Sequence, residues 1–492
     1  MDIHLLYSDS EFENNDVFPD YMLDVETDLG LESLYEVMSD GDENIKNAVR
    51  RIILRPLEDK KTVIYRQKIL MDCIEHKEEV RRLYDFIKEI IDKKQEMKWI
   101  YATSPSGCLS NAVIKMQTYH TYLVELREYA EKYSNILKGT GFQDLFRMLI
   151  EELDDQFLDD SKKLLEFLKF KNGMMIRMKL DKNNRCAEYQ PVFSENKKQY
   201  LRWKLTPSYT LASEDMAGAR DLGDRKDHAA ELCSRTIENT VSCMEGFFEQ
   251  LYFEMSFFIG ALNLKDYLKE KQTEWCFPQI SEKKFIRKAE ELKEINLVFS
   301  GSACVGNEFN IEGEKLTLIT GANQGGKTVF LKSIGQAQIM MQCGLFVVAE
   351  KYTSCLTKGI FTHFKREEDQ NLKSGKLDEE LKRLNRMIQY LRKGSMILYN
   401  ESFASTNERE GSELCRQITK ALMESDIEQI HVTHLYSFSK RIYDEKWKDT
   451  YFLRAVRKEN GERTYRMEEA GPLQSAFGRD LYSKIWESDD NE

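Results

Sequence analysis

The stretch that most constrains the fold of this chain is a glycine-rich loop between an apolar run and a helical pattern. The run from Leu316 to Ile319 is followed by the letters GANQGGKT at residues 321–328. Their spacing is that of a P-loop, in which a strand leads through glycines into a helix that begins with a lysine. A glycine-rich turn without a ligand is the alternative interpretation, but the two flanking patterns favour the P-loop.

The residue types in this loop predict a site for a nucleoside triphosphate. Glycines let successive backbone N–H groups turn toward phosphates, and the helix N-terminus adds partial positive charge. Lys327 would reach the β- and γ-phosphates, and the Thr328 hydroxyl would hold Mg²⁺. The predicted binding residues are Gly321, Ala322, Asn323, Gln324, Gly325, Gly326, Lys327 and Thr328.

The composition is that of a large globular protein in a reducing compartment. With 492 residues and 41% hydrophobic content, the chain is long enough for about three domains. No run approaches ~18 uncharged apolar residues, and the N-terminal letters MDIHLLYSDSEFENND lack the pattern of a signal peptide. The ten cysteines include no C-x-x-C pair, which argues against zinc sites and disulfides. We therefore expect a cytoplasmic protein without a membrane partner.

The part of the chain before about residue 275 has the composition of long helices. Only seven prolines occur in the chain, and Glu, Lys and Leu are frequent. We predict an N-terminal arm over residues 1–30 and a helical core domain over 31–140, in which Pro56 separates two helices. Residues 141–275 are predicted to form lever helices.

Two long helices are predicted to pack lengthwise in this lever region. Residues 141–170 carry apolar side chains among many charges, which fits a single exposed amphipathic helix. Apolar residues from Ile237 to Leu262 alternate spacings of four and three, which is a heptad seam. We expect this seam to pack against the helix at 141–170, in a structural rather than a ligand-binding role.

Between these helices, the segment 171–205 is predicted to form a small basic, clamp-like hairpin. Ile176 and Met178 alternate with basic residues, and Asn183 and Asn184 supply a turn. Nine Lys or Arg stand against three acidic residues here, a local balance of +6 in a chain of net charge −12. Such a patch suits a phosphate backbone, although a solvated hairpin without a partner is the alternative. The candidate DNA-contacting residues are Arg177, Lys179, Lys182 and Arg185.

From about residue 276 the sequence changes to short apolar strands that alternate with helices. This alternation predicts an α/β domain over residues 276–492. LFVV at 345–348 and MILY at 396–399 are predicted strands. The chain as a whole is therefore predicted to be multidomain, with an all-α core and lever-helix part followed by an α/β P-loop domain.

Polar residues that follow two of these strands are candidates for catalysis. A P-loop ATPase needs one group at a neighbouring strand end to hold hydrated Mg²⁺ and another to activate water. Glu401 is predicted to activate the water, whereas Asn400 occupies the metal position without a negative charge, so we expect weak Mg²⁺ coupling and slow turnover. His434 can contact the γ-phosphate or the attacking water, or serve a structural role. Ser405 and Thr406 can bind a partner's nucleotide or simply cap the next helix.

Three of these motifs together resemble the ATPase domain of the MutS family, which is similar to the ABC ATPases. They are GANQGGKT, the strand ending NESFASTNEREG, and VTHLYSF. The family's P-loop usually reads like GPNMGGKST, so Ala322 and Gln324 depart from it, and its Asp-Glu pair is matched only by Glu401. RRIILRPLEDKKTVIYRQKIL, GNEFNI and LQSAFGRDL resemble its core-domain stretch and the segments before and after its ATPase motifs. The resemblance covers most of residues 31–485.

The resemblance implies a dimeric, ATP-gated, DNA-binding ATPase that acts in mismatch repair or related recognition of DNA structures. ATP and Mg²⁺ would be bound between two ATPase domains of a homodimer, with Ser405 and Thr406 acting across the interface. About 30 residues precede the core helices, so a compact form without the family's mismatch-recognition and connector domains is expected. The alternative is an ATP-binding switch or scaffold that hydrolyses slowly or not at all.

Overall fold

The computed structural model describes residues 3–10, 12, 18–97, 102–171, 173–192, 209–322, 324–366, 376–458 and 463–473. Contacts divide the chain into two units. One unit, here called the helical unit, combines Met1–Leu5 with His76–Met255, and the other, the α/β unit, combines Leu6–Glu75 with Ser256–Glu492. Across the described ranges, every helix is too short or too polar to cross a lipid bilayer.

The first half of the chain is almost entirely helical. Its helices are α1 (Asp20–Leu29), α2 (Glu32–Ser39), α3 (Glu43–Ile53), α4 (Lys60–Glu75), α5 (Lys77–Met97), α6 (Pro105–Tyr133), α7 (Thr140–Glu152), α8 (Asp155–Leu168) and α9 (Met216–Glu270). One antiparallel hairpin, β1 (Ile176–Leu180) with β2 (Cys186–Pro191), lies between α8 and α9. The hairpin is as predicted, and its turn contains Asn184, whose φ is +57°. Residues 193–205 of the predicted basic segment lie outside the described residues.

Strands and helices alternate in the second half. The elements are β3 (Gln279–Ser281), β4 (Ile286–Leu292), α10 (Ile295–Phe299), β5 (Asn307–Glu312), β6 (Leu316–Thr320), α11 (Lys327–Gln342), β7 (Lys351–Cys355), β8 (Ile360–Phe364), α12 (Lys376–Ile388), β9 (Met396–Asn400), α13 (Glu408–Glu424), β10 (Glu428–Val432), α14 (Tyr436–Asp444), β11 (Thr450–Arg457) and β12 (Arg463–Glu469). The predicted order of a helical part followed by an α/β part is therefore confirmed.

Within the helical unit, the predicted single helix at 141–170 is wrong. The segment forms two helices, α7 and α8, with a break after Leu153. Asp154 caps α8 by accepting a hydrogen bond from the Phe157 N–H at 2.7 Å, and Arg127 of α6 donates to the Leu153 carbonyl at 2.8 Å. The capping carboxylate and the arginine satisfy backbone groups that a continuous helix would have paired internally.

Helices α5 and α6 contact α9 along its heptad seam, and packing of the seam against residues 141–170 stays a prediction. Tyr84 of α5 stacks on Tyr252 with ring centroids 5.1 Å apart, and their hydroxyls are 3.1 Å apart. Tyr119 of α6 stacks on Phe248 and donates its hydroxyl hydrogen to Glu245 at 3.1 Å. The seam is thus a structural surface, and aromatic residues of α5 and α6 pack along it.

Two sheets form the core of the α/β unit. The larger has the strand order β12-β11-β6-β10-β9-β8, in which β11 pairs with β12 antiparallel and the other neighbours are parallel. Every residue of β6 is buried, as is usual for a central parallel strand. The smaller sheet has the order β3-β7-β4-β5. Strand β6, which leads into the glycine-rich loop, therefore lies between β10 and β11 in the larger sheet.

A single buried arginine joins the two sheets and the helix that follows the glycine-rich loop. Arg287 of β4 donates to both carboxylate oxygens of Glu428 on β10, at 2.6 and 2.8 Å. Its remaining terminal nitrogen donates to Ser354 of β7 at 2.8 Å and to the amide oxygen of Gln338 on α11. Arg287 is 0% exposed, so all of these bonds lie away from water. This network sets the position of β10 and α11 relative to the smaller sheet.

Helix α11 is buried on nearly all sides. The predicted apolar positions Phe330, Ile334, Ala337 and Met341 are buried, and so are three glutamines. Gln336 donates to the Leu29 carbonyl at 2.9 Å, and Gln342 donates to the Leu57 carbonyl at 2.7 Å. Buried amides need such partners, because an unpaired one costs about 1–3 kcal/mol. The glutamines therefore attach α11 to the polypeptide around α1 and α3.

The prediction that LFVV at 345–348 forms a strand is wrong. Val347 makes only an isolated antiparallel bridge with Cys276, and the next strand, β7, begins at Lys351. All four residues are buried. A short apolar run indicates that a segment is buried but does not identify its secondary structure. Here the buried segment is an irregular connection after α11.

Two histidines lie beside a tyrosine on neighbouring strands of the larger sheet. His363 of β8 and His431 of β10 are both in register with Tyr399 of β9, and the His431 and Tyr399 rings stack with centroids 4.2 Å apart. Burial lowers the pKa of each imidazole to about 3, and nearby Arg383 contributes for His363. Both rings are therefore neutral at physiological pH.

We expect removal of Glu428 to destabilise the protein strongly. Glu428→Ala leaves the Arg287 guanidinium buried without its carboxylate, which costs about 3–5 kcal/mol of unfolding free energy. The measurement is the midpoint of urea or thermal unfolding. The control is Lys440→Ala, which removes an exposed pair with Asp444 and should leave the midpoint unchanged. Equal midpoints for the two variants would contradict the role given to Arg287.

We also expect the buried histidines to make stability fall on mild acidification. An unfolded-chain histidine titrates near pH 6.5, whereas the folded pKa of His431 is about 3, so the unfolded state binds the proton first. Stability is then lost as pH falls from about 6.5 toward 3, by about 1.4 kcal/mol per pH unit for each such histidine. His431→Phe keeps an aromatic ring at this position and should flatten the decline measured between pH 7 and pH 5. An unchanged slope would show that His431 does not titrate in this way.

Candidate nucleotide-binding site

The glycine-rich loop connects the end of β6 to the start of α11 and lies against β11. Gly321 and Gly326 have φ values of +119° and +87°, which favour glycine. A Cβ at Gly321 would lie 3.0 Å from the Ala455 backbone nitrogen, and one at Gly325 would lie 2.9 Å from the Ala455 Cβ. Both the backbone conformation and the packing on β11 therefore require glycines here. Asn323 lies outside the described residues.

Lys327, the first residue of α11, turns its amine into this loop. Its Nζ donates to the Gly321 carbonyl at 2.9 Å and to the Ala322 carbonyl at 2.8 Å. Burial lowers the pKa of the amine, and the charge of Glu401 opposes this shift. A desolvated ammonium bonded to neutral carbonyls would gain from an anionic acceptor. The loop and Lys327 thus fit a phosphate group, as the sequence predicts.

The two residues predicted to hold the metal are in direct contact. The Thr328 hydroxyl donates to the Asn400 amide oxygen at 3.0 Å. Thr328 is the second residue of α11, and Asn400 is the last residue of β9. Hydroxyl and amide oxygens are suitable ligands for Mg²⁺ or its waters, but both are neutral. Within the described ranges, no cluster of three His, Cys, Asp or Glu side chains could hold a metal by itself.

Glu401 and His434, the predicted catalytic residues, are also in contact. His434 Nε2 lies 2.6 Å from Glu401 Oε1. Glu401 has a left-handed backbone with φ of +54°, and its N–H donates to the Val432 carbonyl of β10 at 2.8 Å. The hydrogen bond from His434 lowers the pKa of the Glu401 carboxyl, against the opposing effect of burial, and the charges of His434 and Lys327 add to the lowering. Glu401 is thus held ionised, in the form that can accept a proton.

These groups line one cavity of about 550 Å³. Its polar end contains Lys327, Thr328, Glu401 and His434, with Gln324 at the loop. Its other wall is formed by residues from separate elements: Leu297, Ala303, Cys304, Val305, Asn307 and Tyr465. A cavity of this size, with charged and polar groups at one end and mainly apolar residues at the other, suits a nucleotide.

Tyr465 and the apolar wall were missed by sequence reasoning. The only signal was the GNEFNI segment, whose Asn307 proves to be buried and bonded to β12. Asn307 donates to the Tyr465 carbonyl at 3.1 Å and accepts from the Met467 N–H at 2.8 Å. These bonds hold β12 against β5 and place Tyr465 in the cavity wall.

Ser405 and Thr406 do not line this cavity. The Ser405 hydroxyl donates to Glu380 of α12 at 3.2 Å, and the Thr406 hydroxyl donates to Glu410 at 2.8 Å. The capping of α13 belongs to Asn407, which accepts from the Glu410 N–H at 2.9 Å. Action of Ser405 and Thr406 on a partner's nucleotide therefore stays a prediction.

The four predicted DNA-contacting residues are in the helical unit. Arg177, Lys179, Lys182 and Arg185 are all exposed on the β1–β2 hairpin and its turn. Lys179 forms an ion pair with Glu188 at 2.5 Å across the two strands. The hairpin thus presents these four basic side chains to solvent, with Asp181 and Glu188 also exposed.

Comparison with known families and proteins covers both parts of the chain. Residues 58–271 match the family described as "MutS2 N-terminal domain", and residues 317–481 match "MutS domain V". The segment at 317–481 contains the loop, Asn400, Glu401 and His434.

Several curated proteins share part of this sequence. Endonuclease MutS2 of Thermus thermophilus is 33% identical over 132 residues, which are 27% of this chain and 18% of that protein. MutS protein homolog 4 of Homo sapiens is 31% identical over 128 residues, 26% of this chain and 14% of that protein. Endonuclease MutS2 of Halothermothrix orenii is 33% identical over 144 residues, 29% of this chain and 17% of that protein. The matched segments thus span less than a fifth of each relative, but together with the two family matches they show that this chain belongs to the MutS family.

Proposed function

We propose that this protein is a MutS-type, ATP-dependent ATPase that binds DNA. The observation that carries the proposal is the convergence of Lys327, Thr328, Glu401 and His434 on one cavity of about 550 Å³, with Asn400 bonded to Thr328. Membership of the MutS family supports ATP and Mg²⁺ as the ligands of this cavity. The loop from Gly321 to Thr328 would bind the phosphates.

Each residue of the site has a distinct proposed role. The Lys327 amine exchanges the Gly321 and Ala322 carbonyls for phosphate oxygens, which are stronger acceptors. Thr328 and Asn400 hold the metal, which when bound neutralises charge on the phosphates. Glu401 accepts a proton from the attacking water, and His434 orients the Glu401 carboxylate through their 2.6 Å contact.

Slow hydrolysis is the expected consequence of Asn400. An amide oxygen can bond to a metal-bound water but adds no negative charge to attract the ion. In the part of the chain that the structure describes, Glu401 is the only carboxylate that lines the cavity, and it is already engaged by His434. We therefore infer weaker metal binding and a lower hydrolytic rate than with an aspartate at position 400.

Two substitutions with opposite expected effects on kcat test the catalytic assignment. Glu401→Gln should lower kcat for ATP hydrolysis by about 10²–10⁴-fold, because the general base is lost, while ATP binding is retained. Asn400→Asp should raise the apparent affinity for Mg²⁺ and increase kcat. The measurements are phosphate release and its dependence on Mg²⁺ concentration. If Asn400→Asp gains nothing and Glu401→Gln loses nothing, the hydrolytic assignment fails.

The proposed assembly is a homodimer through the ATPase domains, and the proposed partner is DNA. Ser405 and Thr406 would act on the nucleotide of the opposite subunit, which would make dimer closure depend on ATP. The exposed basic hairpin would contact the DNA backbone, whose affinity comes mainly from charge neutralisation. Mismatch repair or a related recognition of DNA structures is the proposed setting.

Neutralising the hairpin tests the DNA contact. Replacing Lys179, Lys182 and Arg185 with Gln should weaken DNA binding and lower its salt dependence, because about three phosphate contacts are lost. A matched control replaces Lys93, Lys162 and Lys163, which are exposed in the same unit but outside the hairpin. The readout is a gel-shift titration at several salt concentrations. Equal affinities for the two triple variants would remove the hairpin from the DNA-binding surface.

A second candidate function is an ATP-binding switch or scaffold that hydrolyses ATP slowly or not at all. The neutral Thr328–Asn400 pair favours it, because the metal position lacks a carboxylate. This alternative predicts that ATP changes the oligomeric state or DNA affinity equally in the parent protein and in Glu401→Gln. Turnover-dependent release of DNA in the parent protein alone would favour the ATPase.

A further inference from the structure

An irregular segment of β12 runs past the mouth of the nucleotide cavity. β11 and β12 pair Ala455 with Met467 and Arg457 with Arg463, so β12 has extra residues between these two pairs. Tyr465, within this bulge, has φ of +58°, and its carbonyl is held by Asn307. Bulges of this kind redirect side chains next to functional sites. Here the bulge places Tyr465 in the cavity wall. Arg463, at the start of β12, contacts Gln324 of the glycine-rich loop.

The guanidinium of Arg463 contacts the loop through a neutral partner. It donates to the amide oxygen of Gln324, which itself lines the cavity. Two other arginines of the same hairpin pair with carboxylates: Arg454 with Glu468 at 2.7 Å and Arg466 with Glu291 at 2.9 Å. Over the described ranges, Arg463 makes no ion pair. Its charge at the cavity mouth is therefore bonded to an amide and not neutralised.

The geometry points to Arg463 as a phosphate-binding residue that exchanges Gln324 for the polyphosphate of the nucleotide. This assignment rests on the proposed function and names a further residue for the same site. A guanidinium presents two parallel N–H donors that match phosphate oxygens, and such charge-assisted bonds are stronger than a bond to an amide. Among the described residues that line the cavity, Lys327 is the only lysine or arginine, so Arg463 supplies a second permanent charge.

Gln324 is suited to hold Arg463 before nucleotide enters. Its side chain is exposed, and its backbone has a left-handed φ of +59°, which directs it from the loop toward β12. An amide bonds a guanidinium without neutralising it, whereas a carboxylate would compete with phosphate. Gln324 therefore holds Arg463 in place before nucleotide binds, and Arg463 is the group that binds the nucleotide.

Nucleotide binding by single variants tests this assignment. Arg463→Ala should weaken binding of ATP and of ADP by about tenfold, as measured by isothermal titration calorimetry. Arg463→Lys, which keeps the charge but loses the second donor, should fall between the parent protein and Arg463→Ala. The matched control is Arg466→Ala, three residues away on the same strand, which should bind as the parent does. The unfolding midpoint of each variant confirms that it is folded.

Gln324→Gly separates ligand binding from a merely structural role. The substitution removes the Gln324 side chain that contacts Arg463 and suits the positive φ, and the ATP affinity of this variant is the reference for the double variant. Adding Arg463→Ala to Gln324→Gly should weaken ATP binding by the same factor of about ten as in the parent protein. If Arg463→Ala costs no affinity in the Gln324→Gly background, Arg463 acts only by bracing the loop through Gln324 and the assignment is wrong.

Two further outcomes are distinct. Parent-like affinity in Arg463→Ala overturns the role of Arg463 and leaves the proposed function intact. Failure of the parent protein to bind ATP overturns the proposed function itself.

Discussion

The buried pair between Arg287 and Glu428 is the interaction on which the geometry of the α/β unit depends. Arg287 belongs to the smaller sheet, Glu428 begins β10 of the larger sheet, and the same guanidinium bonds Gln338 of α11. Burying two charges is costly, and the cost is offset only when every donor and acceptor is paired in a single arrangement. Because α11 begins at Lys327 and β10 leads to His434, this arrangement also sets the two sides of the nucleotide cavity.

Few charged side chains line that cavity. Thr328 meets a neutral amide at Asn400. Glu401 is the one carboxylate among the described lining residues, and the hydrogen bond from His434 lowers its pKa. The cationic side is similarly small, with Lys327 turned into the loop and Arg463 bonded to Gln324 at the mouth. If ATP and Mg²⁺ bind here as proposed, the neutral amide of Asn400 would make hydrolysis slow.

The site residues that could be predicted from sequence are those whose signal is local. A strand, glycines, Lys327 and Thr328 occupy consecutive positions, and Asn400 and Glu401 directly follow an apolar strand. Their meeting in one cavity follows from parallel strands, because the ends of β6, β9 and β10 share one edge of the sheet. Tyr465 and Arg463 could not be predicted, because a bulge in β12 and its bonds to Asn307 bring them there. The helix break after Leu153 could not be predicted either, because a residue distant in sequence stabilises it. That residue is Arg127 of α6.

The sequence by itself determined the order of a helical part and an α/β part, the glycine-rich loop, and the chemistry of the strand-end residues. Backbone propensity, hydrophobic period and motif spacing all act over a few residues, so they can be read along the chain. Only the tertiary structure decided which helices meet the seam of α9, that LFVV is an irregular connection, and which distant side chains complete the cavity. Those outcomes depend on packing and hydrogen bonds between residues far apart in sequence. A local sequence pattern does not identify the distant residue that makes such a contact.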